Sequence, residues 1–411
     1  MLARMTDTIH YVMEATLVSQ PLAQAPAPAA PTAASRRSTV LPRVEWSGTQ
    51  PNVVPFERER FEELRLLGQG GMGEVMLIKD NDIERTVAVK RLPAGSDLDR
   101  VLRFVEEIRT VGQLDHPNIV PVHDVGVDEQ GRYYFVMKHL EGETLESIIT
   151  KLREGDRDMH ARYTFPMRVQ LFLSILHALS YAHGKGFIHR DLKPANIMVG
   201  PFGEVTVMDW GLSRRVRKAD KPGKGAATPA APQSLRDAAS MQTQLGAVVG
   251  TPFYMSPEQA RGEHDSLDAR SDIYSLTVLL HELLYLQHYL EGREALADVL
   301  EGVQKALPEL FNPKPNPHQP NVPPELNWFL SRGLAKNPAQ RYGSVEEMVQ
   351  ELKAVMEGRI HVKCHRTLLK RGLHEALHFV DKHPDLTVGG IVLTAVTVVG
   401  SLGHLVWTLL T

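Results

Sequence analysis

The feature that most constrains the fold is the polar segment His189–Asn196, which lies between apolar stretches of the chain. In it Asp191 is followed by Lys193 and then by Asn196. A carboxylate can accept a proton from an attacking hydroxyl, and a lysine can neutralise a transferring phosphate. An amide oxygen suits Mg²⁺, which prefers hard oxygen ligands. The pattern therefore predicts a loop that carries chemistry between two buried elements.

A second pattern is the spacing of Gly68, Gly70 and Gly73 between two segments with strand-like residues. The spacing alone is weak evidence, because glycines also serve plain tight turns. Here the glycines join two strands and do not open a helix, which argues against a dinucleotide-binding fold. We expect a hairpin over nucleotide phosphates, with backbone amides near the anionic oxygens and with Val75 and Ala88 covering the adenine.

These motifs and those that follow them resemble the protein kinase family, and they occur in the family's order. His189–Asn196 resembles the catalytic loop, with Lys193 and Pro194 typical of the serine/threonine branch. Asp209–Gly211 stands where the family has Asp-Phe-Gly, and Ser256–Glu258 where it has Ala-Pro-Glu. The resemblance covers about residues 61–356. Within the family, the sequence is most similar to the bacterial, membrane-anchored kinases.

The resemblance implies a role for each motif residue. Asp191 would orient the acceptor hydroxyl and take its proton, and Lys193 would steady the phosphoryl group. Asn196 and Asp209 would hold Mg²⁺, for which Mn²⁺ is an alternative. Trp210, in place of the usual phenylalanine, keeps a large aromatic side chain at that position.

The resemblance also assigns the ATP site. Lys90 would hold the α and β phosphates and pair with Glu107 on a helix over about residues 97–114. Glu106 points about 100° away on such a helix, so Glu107 is preferred. Met137 would be the gatekeeper, and the hinge that follows would include Leu140.

Three further residues are predicted to be structural. By resemblance, Glu258 pairs with a buried Arg341, and Asp272 anchors the catalytic loop from below.

Thr243 is the first phosphosite candidate and Ser240 the second, because a cationic residue before the catalytic aspartate can pair with a phosphate on the activation segment. The alternative is that this segment orders without phosphorylation.

The predicted fold class is α+β, the two-lobed protein kinase fold, with an antiparallel sheet and one helix in the N-lobe and a mainly helical C-lobe. The predicted segments are a disordered Pro/Ala-rich leader at 1–55, a kinase domain at 56–357, a basic juxtamembrane segment at 358–385 and a transmembrane helix at 386–410. Within the kinase domain, the N-lobe is expected at about 61–140 and the C-lobe at about 141–357. The activation segment is expected at 209–258, with a disordered insertion at about 217–242. Residues 1–20 show no secretory signal.

The C-terminal stretch 386–411 lacks Asp, Glu, Lys and Arg. As a helix it would extend about 37 Å, enough to cross a bilayer core of about 30 Å. The basic flank before it favours a cytoplasmic kinase domain and a single-pass protein of the cell membrane. The alternative is a buried C-terminal helix. The flank also contains a His/Cys group that invites a metal hypothesis, without a fuller ligand set: His361, Cys364, His365, His374 and His378.

Composition limits the class of partner. The net charge of -3 gives no reason to expect nucleic acid. The single cysteine excludes an intrachain disulfide, which fits a reducing compartment. Expected partners are ATP, protein substrates, the membrane and a second copy during autophosphorylation. The rival interpretations are a pseudokinase scaffold, suggested by Trp210 and the long insertion, and a small-molecule kinase, which Gly250–Glu258 disfavours.

Overall fold

A computed structural model describes residues 39, 41–54, 58–70, 73–215, 251–263, 266–310, 316–359, 372, 379–380 and 382–410. The predicted activation-segment insertion, Thr243, Ser240 and the His/Cys group of the basic flank lie outside the described residues. The chain divides into two compact units. The first comprises Met1–Leu64 with Ile78–Thr86, and the second comprises Arg65–Leu77 with Val87–Thr411.

The described residues form the following strands and helices. The strands are β1 (Arg43–Ser47), β2 (Gln50–Val54), β3 (Phe61–Gly70), β4 (Gly73–Asp80), β5 (Arg85–Arg91), β6 (Val122–Val127), β7 (Tyr133–Lys138), β8 (Glu143–Thr144), β9 (Phe187–Ile188), β10 (Ile197–Val199), β11 (Val205–Val207) and β12 (Arg214–Arg215). The helices are α1 (Leu98–Val111), α2 (Leu145–Arg153), α3 (Arg157–Arg162), α4 (Phe165–Gly184), α5 (Pro257–Ala260), α6 (Ala269–Tyr285), α7 (Leu296–Lys305), α8 (Pro324–Gly333), α9 (Val345–Met356) and α10 (Pro384–Leu410).

The predicted sheet is present. Its strand order is β3-β4-β5-β7-β6, and the β5–β7 and β6–β7 pairs are antiparallel. In the β5–β7 register, Ala88 lies opposite Met137 and Lys90 lies opposite Phe135. Because side chains alternate across a strand, Ala88 and Lys90 share one face of β5.

One part of the leader prediction is wrong. The disordered leader was expected to reach residue 55, but residues 43–54 form the antiparallel hairpin β1–β2 in the first unit. Gly48, with φ of +62°, allows the tight turn after Ser47. The alternating Val44 and Trp46 then face the same side of the hairpin as Val53. The Pro and Gly content, interpreted as disorder, instead belongs partly to a hairpin turn.

The boundary between the two units differs from the predicted lobe boundary at residue 140. Polar contacts hold the turn after β4 to the chain before β3 within the first unit. Arg60 Nη2 lies 3.1 Å from Asp80 Oδ2, and Asn81 Nδ2 donates to the Glu59 carbonyl at 3.0 Å. The backbone amide of Leu41 donates to Asp82 Oδ1 at 3.0 Å. These contacts group residues 78–86 with the N-terminal hairpin.

The main hydrophobic core lies in the second unit around α4 and α6. Helix α4 is rich in apolar residues and mostly buried, and Phe172, Ile175 and Leu176 are fully buried. Helix α6 begins at the N-cap Asp268, whose side chain accepts from the amide of Arg270 at 2.8 Å. These two helices form a rigid support for the loops that precede and follow them.

The C-terminal stretch forms the helix α10, with exposed apolar side chains such as Ile391 and Val399. Among the helices of the described part of the chain, none meets both the length and the apolar character needed to span a bilayer.

Candidate active site

The first cluster of the site joins β5, α1 and the chain after β11. The Lys90 ammonium lies 2.6 Å from Glu107 Oε1 and 3.8 Å from Asp209 Oδ1. Glu107 is buried and Glu106 is exposed, so the predicted preference for Glu107 is confirmed. Burial alone would lower the pKa of Lys90, but the carboxylates of Glu107 and Asp209 outweigh it and raise that pKa. Lys90 is therefore a fixed cation at neutral pH.

The second cluster is the catalytic-loop motif. Lys193 Nζ lies 2.8 Å from Asp191 Oδ2. A 3₁₀ turn over Pro194–Asn196 returns Asn196 to the aspartate, where its Nδ2 donates to the Asp191 carbonyl at 2.9 Å and to Oδ2 at 3.2 Å. Burial raises the pKa of Asp191, and Lys193 acts in the opposite direction. The arrangement gives a buried, oriented carboxylate with raised basicity.

Asp272 supports the catalytic loop from α6, as predicted. Its Oδ2 accepts from the His189 amide at 2.8 Å and from His183 Nε2 at 2.7 Å, and its Oδ1 accepts from the Arg190 amide at 2.9 Å. Burial disfavours the ionised carboxylate, but the interactions with His183 and His189 and the hydrogen bond from the Arg190 amide lower the pKa of Asp272. It therefore stays ionised and holds two consecutive backbone amides.

Trp210 packs beneath the same loop. It is fully buried, and its ring centroid lies 4.6 Å from that of His189. The His189 imidazole contacts the Met208 carbonyl through Nε2 at 3.1 Å and accepts from the Asp191 amide through Nδ1 at 3.3 Å. The large aromatic side chain expected at this position therefore packs on the ring that contacts the Asp191 backbone.

The glycine pattern is divided between two strands. Gly68 and Gly70 lie in β3, and Gly73 begins β4 with φ of +141°. A Cβ at Gly73 would lie 2.4 Å from the Arg91 carbonyl oxygen, so this position requires glycine. A Cβ at Gly68 or Gly70 would meet nothing within 4 Å, which leaves open space beside the backbone.

Three of the four residues expected around adenine lie on strands, and Leu140 follows β7. Val75 is half-buried in β4, and Ala88 is buried opposite the half-buried Met137. Leu140 is half-buried and packs against the main core. Their contact with ATP stays a prediction.

The predicted pair of Glu258 and Arg341 is confirmed. Two parallel hydrogen bonds join Arg341 Nη1 to Glu258 Oε1 at 2.7 Å and Arg341 Nη2 to Oε2 at 2.8 Å, and both side chains are buried. Ser271 also donates to Glu258 Oε1 at 2.8 Å. Glu258 therefore ties α5 to α6, through Ser271, and to the chain after α8, through Arg341.

The residues expected to hold a divalent cation have suitable chemistry. The amide nitrogen of Asn196 donates to Asp191, so Oδ1 is the side-chain atom of Asn196 that could bind a cation. Asp209 offers a carboxylate whose side chain is 42% exposed. Both are hard oxygen donors of the kind that Mg²⁺ and Mn²⁺ accept. Within the described residues, no group of three or more His, Cys, Asp or Glu could hold a metal.

Sequence reasoning missed Gln259. Its side chain donates to the Arg190 carbonyl at 3.0 Å and accepts from the Ser256 amide at 2.9 Å. A signal was present, because Ser256 and Gln259 have the spacing of a helix capping box, which the structure forms at α5.

Comparison with known proteins agrees with this geometry. The family model described as the protein kinase domain matches residues 61–352. The chain belongs to the protein kinase family, in its bacterial serine/threonine branch. It is 34% identical over 76% of its length to the serine/threonine-protein kinase PknD of Protochlamydia amoebophila, covering 31% of that protein. It is 36% identical over 73% of its length to PknB of Mycolicibacterium smegmatis, covering 44% of that protein. A third relative, the probable serine/threonine-protein kinase PknB of Bifidobacterium longum, is 34% identical over 74% of this chain and is covered to 40%. The chain thus spans less than half the length of these relatives.

Proposed function

We propose that this protein is a serine/threonine protein kinase that transfers the terminal phosphate of ATP to protein hydroxyls. The observation that carries the proposal is the position of Lys90, which pairs with Glu107 at 2.6 Å and lies 3.8 Å from Asp209. A cation held between two carboxylates in this way suits the phosphates of a nucleotide. The similarity to kinases named for serine and threonine supports the same class of acceptor.

The chemistry follows from the second cluster. The acceptor oxygen attacks the terminal phosphorus and gives its proton to Asp191, while the bond from phosphorus to the bridging oxygen breaks and ADP leaves. The raised pKa of Asp191 makes it a better proton acceptor than an exposed carboxylate. Lys193, 2.8 Å from Asp191, places positive charge where the transferring group carries negative charge.

Asn196 and Asp209 would hold a divalent cation, Mg²⁺ or Mn²⁺. When bound, such an ion supplies neutralisation of the phosphate charge. The hydrogen bonds from Asn196 to Asp191 would keep the amide oriented whether or not an ion is present. Lys90 would act beside the ion, because its ammonium pairs with Glu107 and also lies 3.8 Å from Asp209, one of the two expected ligands.

The test is phosphate transfer by the full-length chain with labelled ATP and either Mg²⁺ or Mn²⁺, on protein substrates and on small alcohols. We expect labelled phosphoserine or phosphothreonine on protein, and none with Asp191→Asn, which should still bind nucleotide. Turnover that persists in Asp191→Asn would refute the assignment of the base. Nucleotide binding without transfer under either metal would favour the scaffold interpretation, and transfer only to small alcohols would favour a small-molecule kinase.

We further propose that the protein phosphorylates its own activation segment, first at Thr243 and then at Ser240, through a transient homodimer. The support is Arg190, a cationic residue directly before Asp191. Mapping by mass spectrometry should find phosphate at these positions, at a rate that rises with protein concentration. A rate per molecule that is independent of concentration would exclude transfer between copies.

Localisation at the cell membrane, with the kinase domain in the cytoplasm, is also a proposal. Its support is the uncharged stretch 386–411, the exposed apolar side chains of α10 and the excess of Lys and Arg in 358–385. After alkaline carbonate extraction of cells, the full-length chain should stay with the membrane fraction. Its release into the supernatant would contradict the proposal.

A further inference from the structure

The Gln259 side chain connects the end of the activation segment to the catalytic loop. It is 5% exposed, and both ends of its amide are used. Its Nε2 donates to the Arg190 carbonyl at 3.0 Å, and its Oε1 accepts from the Ser256 amide at 2.9 Å. The backbone N–H of Gln259 donates in turn to Ser256 Oγ at 3.4 Å, which completes the capping box of α5.

The backbone at Arg190 is in a conformation that needs support. Its φ of +71° is in the left-handed region, which side chains with a Cβ rarely adopt. Such a residue keeps this conformation only when its surroundings determine it. Asp272 holds the Arg190 amide at 2.9 Å on one side, and Gln259 holds the Arg190 carbonyl at 3.0 Å on the other.

The Arg190 carbonyl and the Asp191 amide belong to one peptide group, and a peptide group is planar. Gln259 holds the oxygen of this plane, and His189 Nδ1 accepts from its N–H at 3.3 Å. Two contacts at opposite edges fix the rotation of the plane. The plane leads directly into the Cα of Asp191, so its rotation determines where the catalytic carboxylate points.

We propose that Gln259 is a positioning residue for phosphotransfer, which orients Asp191 through the peptide group between Arg190 and Asp191. The inference rests on the proposed kinase function. It also gives a physical link from the Ser256–Glu258 segment to the catalytic loop, because the Gln259 side chain is hydrogen-bonded to the Ser256 backbone amide and to the Arg190 carbonyl.

The experiment compares Gln259→Met, Gln259→Glu and Ser256→Ala in the full-length chain. Gln259→Met keeps the side-chain length and removes both hydrogen bonds. Gln259→Glu keeps the acceptor for the Ser256 amide but, when ionised, has no proton to donate to Arg190. Ser256→Ala is the control, since it removes the serine hydroxyl of the capping box and leaves both hydrogen bonds of the Gln259 side chain in place. Transfer rates are normalised to ATP-binding sites titrated with a fluorescent ATP analogue, so that misfolded protein is not counted.

We expect Gln259→Met to lower kcat per binding site by about tenfold, equivalent to about 1.4 kcal/mol, with KM for ATP within about twofold. Ser256→Ala should stay within about twofold of the wild type in kcat per site, because the contact to Arg190 remains. In Gln259→Glu the deficit relative to the wild type should shrink as pH falls from 8 to 5.5, because a protonated carboxyl can donate to the Arg190 carbonyl and burial favours that form. A purely structural role would not produce this pH dependence.

The outcomes separate the two hypotheses. If the wild type transfers phosphate and Gln259→Met has the same kcat per site, the inference is wrong. If Gln259→Met only loses binding sites, Gln259 is a folding residue and the inference is also wrong. If Gln259→Met does not fold, a pH-independent deficit in Gln259→Glu overturns the inference. If the wild type itself transfers no phosphate, the proposed function fails and the inference falls with it.

Discussion

Glu107 Oε1 accepts a hydrogen bond from Lys90 Nζ at 2.6 Å, while the adjacent Glu106 side chain is exposed to solvent. One turn of α1 thus presents one glutamate to the site and one to water. The N-cap Asp97, which accepts from the Arg100 amide at 2.8 Å, fixes where the helix begins. Glu107 lies on the buried face of α1 with Phe104 and Val111, and this helical phase determines which glutamate reaches Lys90.

This difference gives a prediction with a matched control. Glu107→Gln should lower kcat/KM for ATP by about tenfold, because Lys90 loses its counter-charge and a hydrogen bond to a charged group is worth about 1.5–3 kcal/mol. Glu106→Gln should have little effect, because it changes an exposed side chain. Steady-state kinetics of the two variants makes the comparison. Equal rates for both would mean that the ion pair with Lys90 does not matter for turnover.

The buried pair of Glu258 and Arg341 predicts a large effect on stability. Glu258→Gln would leave the Arg341 guanidinium buried without its counter-charge, which costs about 3–5 kcal/mol for a pair of this kind. The control is Glu301→Gln, which breaks the exposed pair with Lys305 on α7 and should change stability little. Denaturant unfolding of both variants measures the difference. A similar small change in each would show that the buried pair does not contribute as its geometry suggests.

The same pair predicts a pH dependence of stability. Burial opposes ionisation of Glu258, but the hydrogen bonds and charge of Arg341 outweigh it and lower the pKa of Glu258. A carboxyl with a depressed pKa stabilises the fold fully above its unfolded pKa of about 4.3. This stabilisation is lost as pH falls through the folded pKa. The stability difference between wild type and Glu258→Gln should therefore be largest near neutral pH and shrink below about pH 4.3.

Much of the site could be predicted from sequence because its residues occur at fixed spacings. The contacts of Asp191 with Lys193 and Asn196 are local, so spacing alone brings them together. The pairs Lys90–Glu107 and Glu258–Arg341 required the resemblance, since nothing local joins residues so far apart.

What could not be predicted is set by backbone conformation and by capping. Arg190 and Asp209 both have positive φ, at 71° and 56°, and no side-chain pattern encodes that in a residue other than glycine. The hairpin over residues 43–54 is hard to predict because glycine and proline favour both turns and disorder. The role of Gln259 is not encoded locally, because a capping pattern predicts the start of a helix and not a contact with the carbonyl of a loop distant in sequence.

Gly73 and Gly70 give a prediction from two glycines of the same motif. Gly73→Ala should destabilise the protein by about 1–3 kcal/mol, the usual cost of a strained backbone position, because its φ is +141° and a Cβ would meet the Arg91 carbonyl at 2.4 Å. Gly70→Ala should be near neutral in stability, because a Cβ there meets nothing within 4 Å. Denaturant unfolding without nucleotide is the measurement. Equal stability of the two variants would show that the chain can relax around Gly73.

Trp210 predicts a near-cancellation of two opposing effects. The side chain is fully buried, and its Nε1 has no hydrogen-bond partner among the residues that the structure describes. Trp210→Phe would leave a small cavity, which destabilises, but it would also remove a buried N–H whose desolvation costs about 1–3 kcal/mol. The free energy of unfolding should therefore change by less than about 1.5 kcal/mol, against a loss of about 3–5 kcal/mol for Trp210→Ala.

Calorimetry or denaturant unfolding of both variants measures these changes in the free energy of unfolding. If Trp210→Phe destabilises the protein as much as Trp210→Ala does, the indole N–H has a partner such as an ordered water.

Phosphotransfer by Trp210→Phe provides a second measurement. The variant keeps Asp191, Lys193 and Asp209, as well as an aromatic ring facing His189, so its kcat should stay within about threefold of the wild type. A gain of activity from an inactive wild type would instead identify Trp210 as the residue that makes this fold a scaffold.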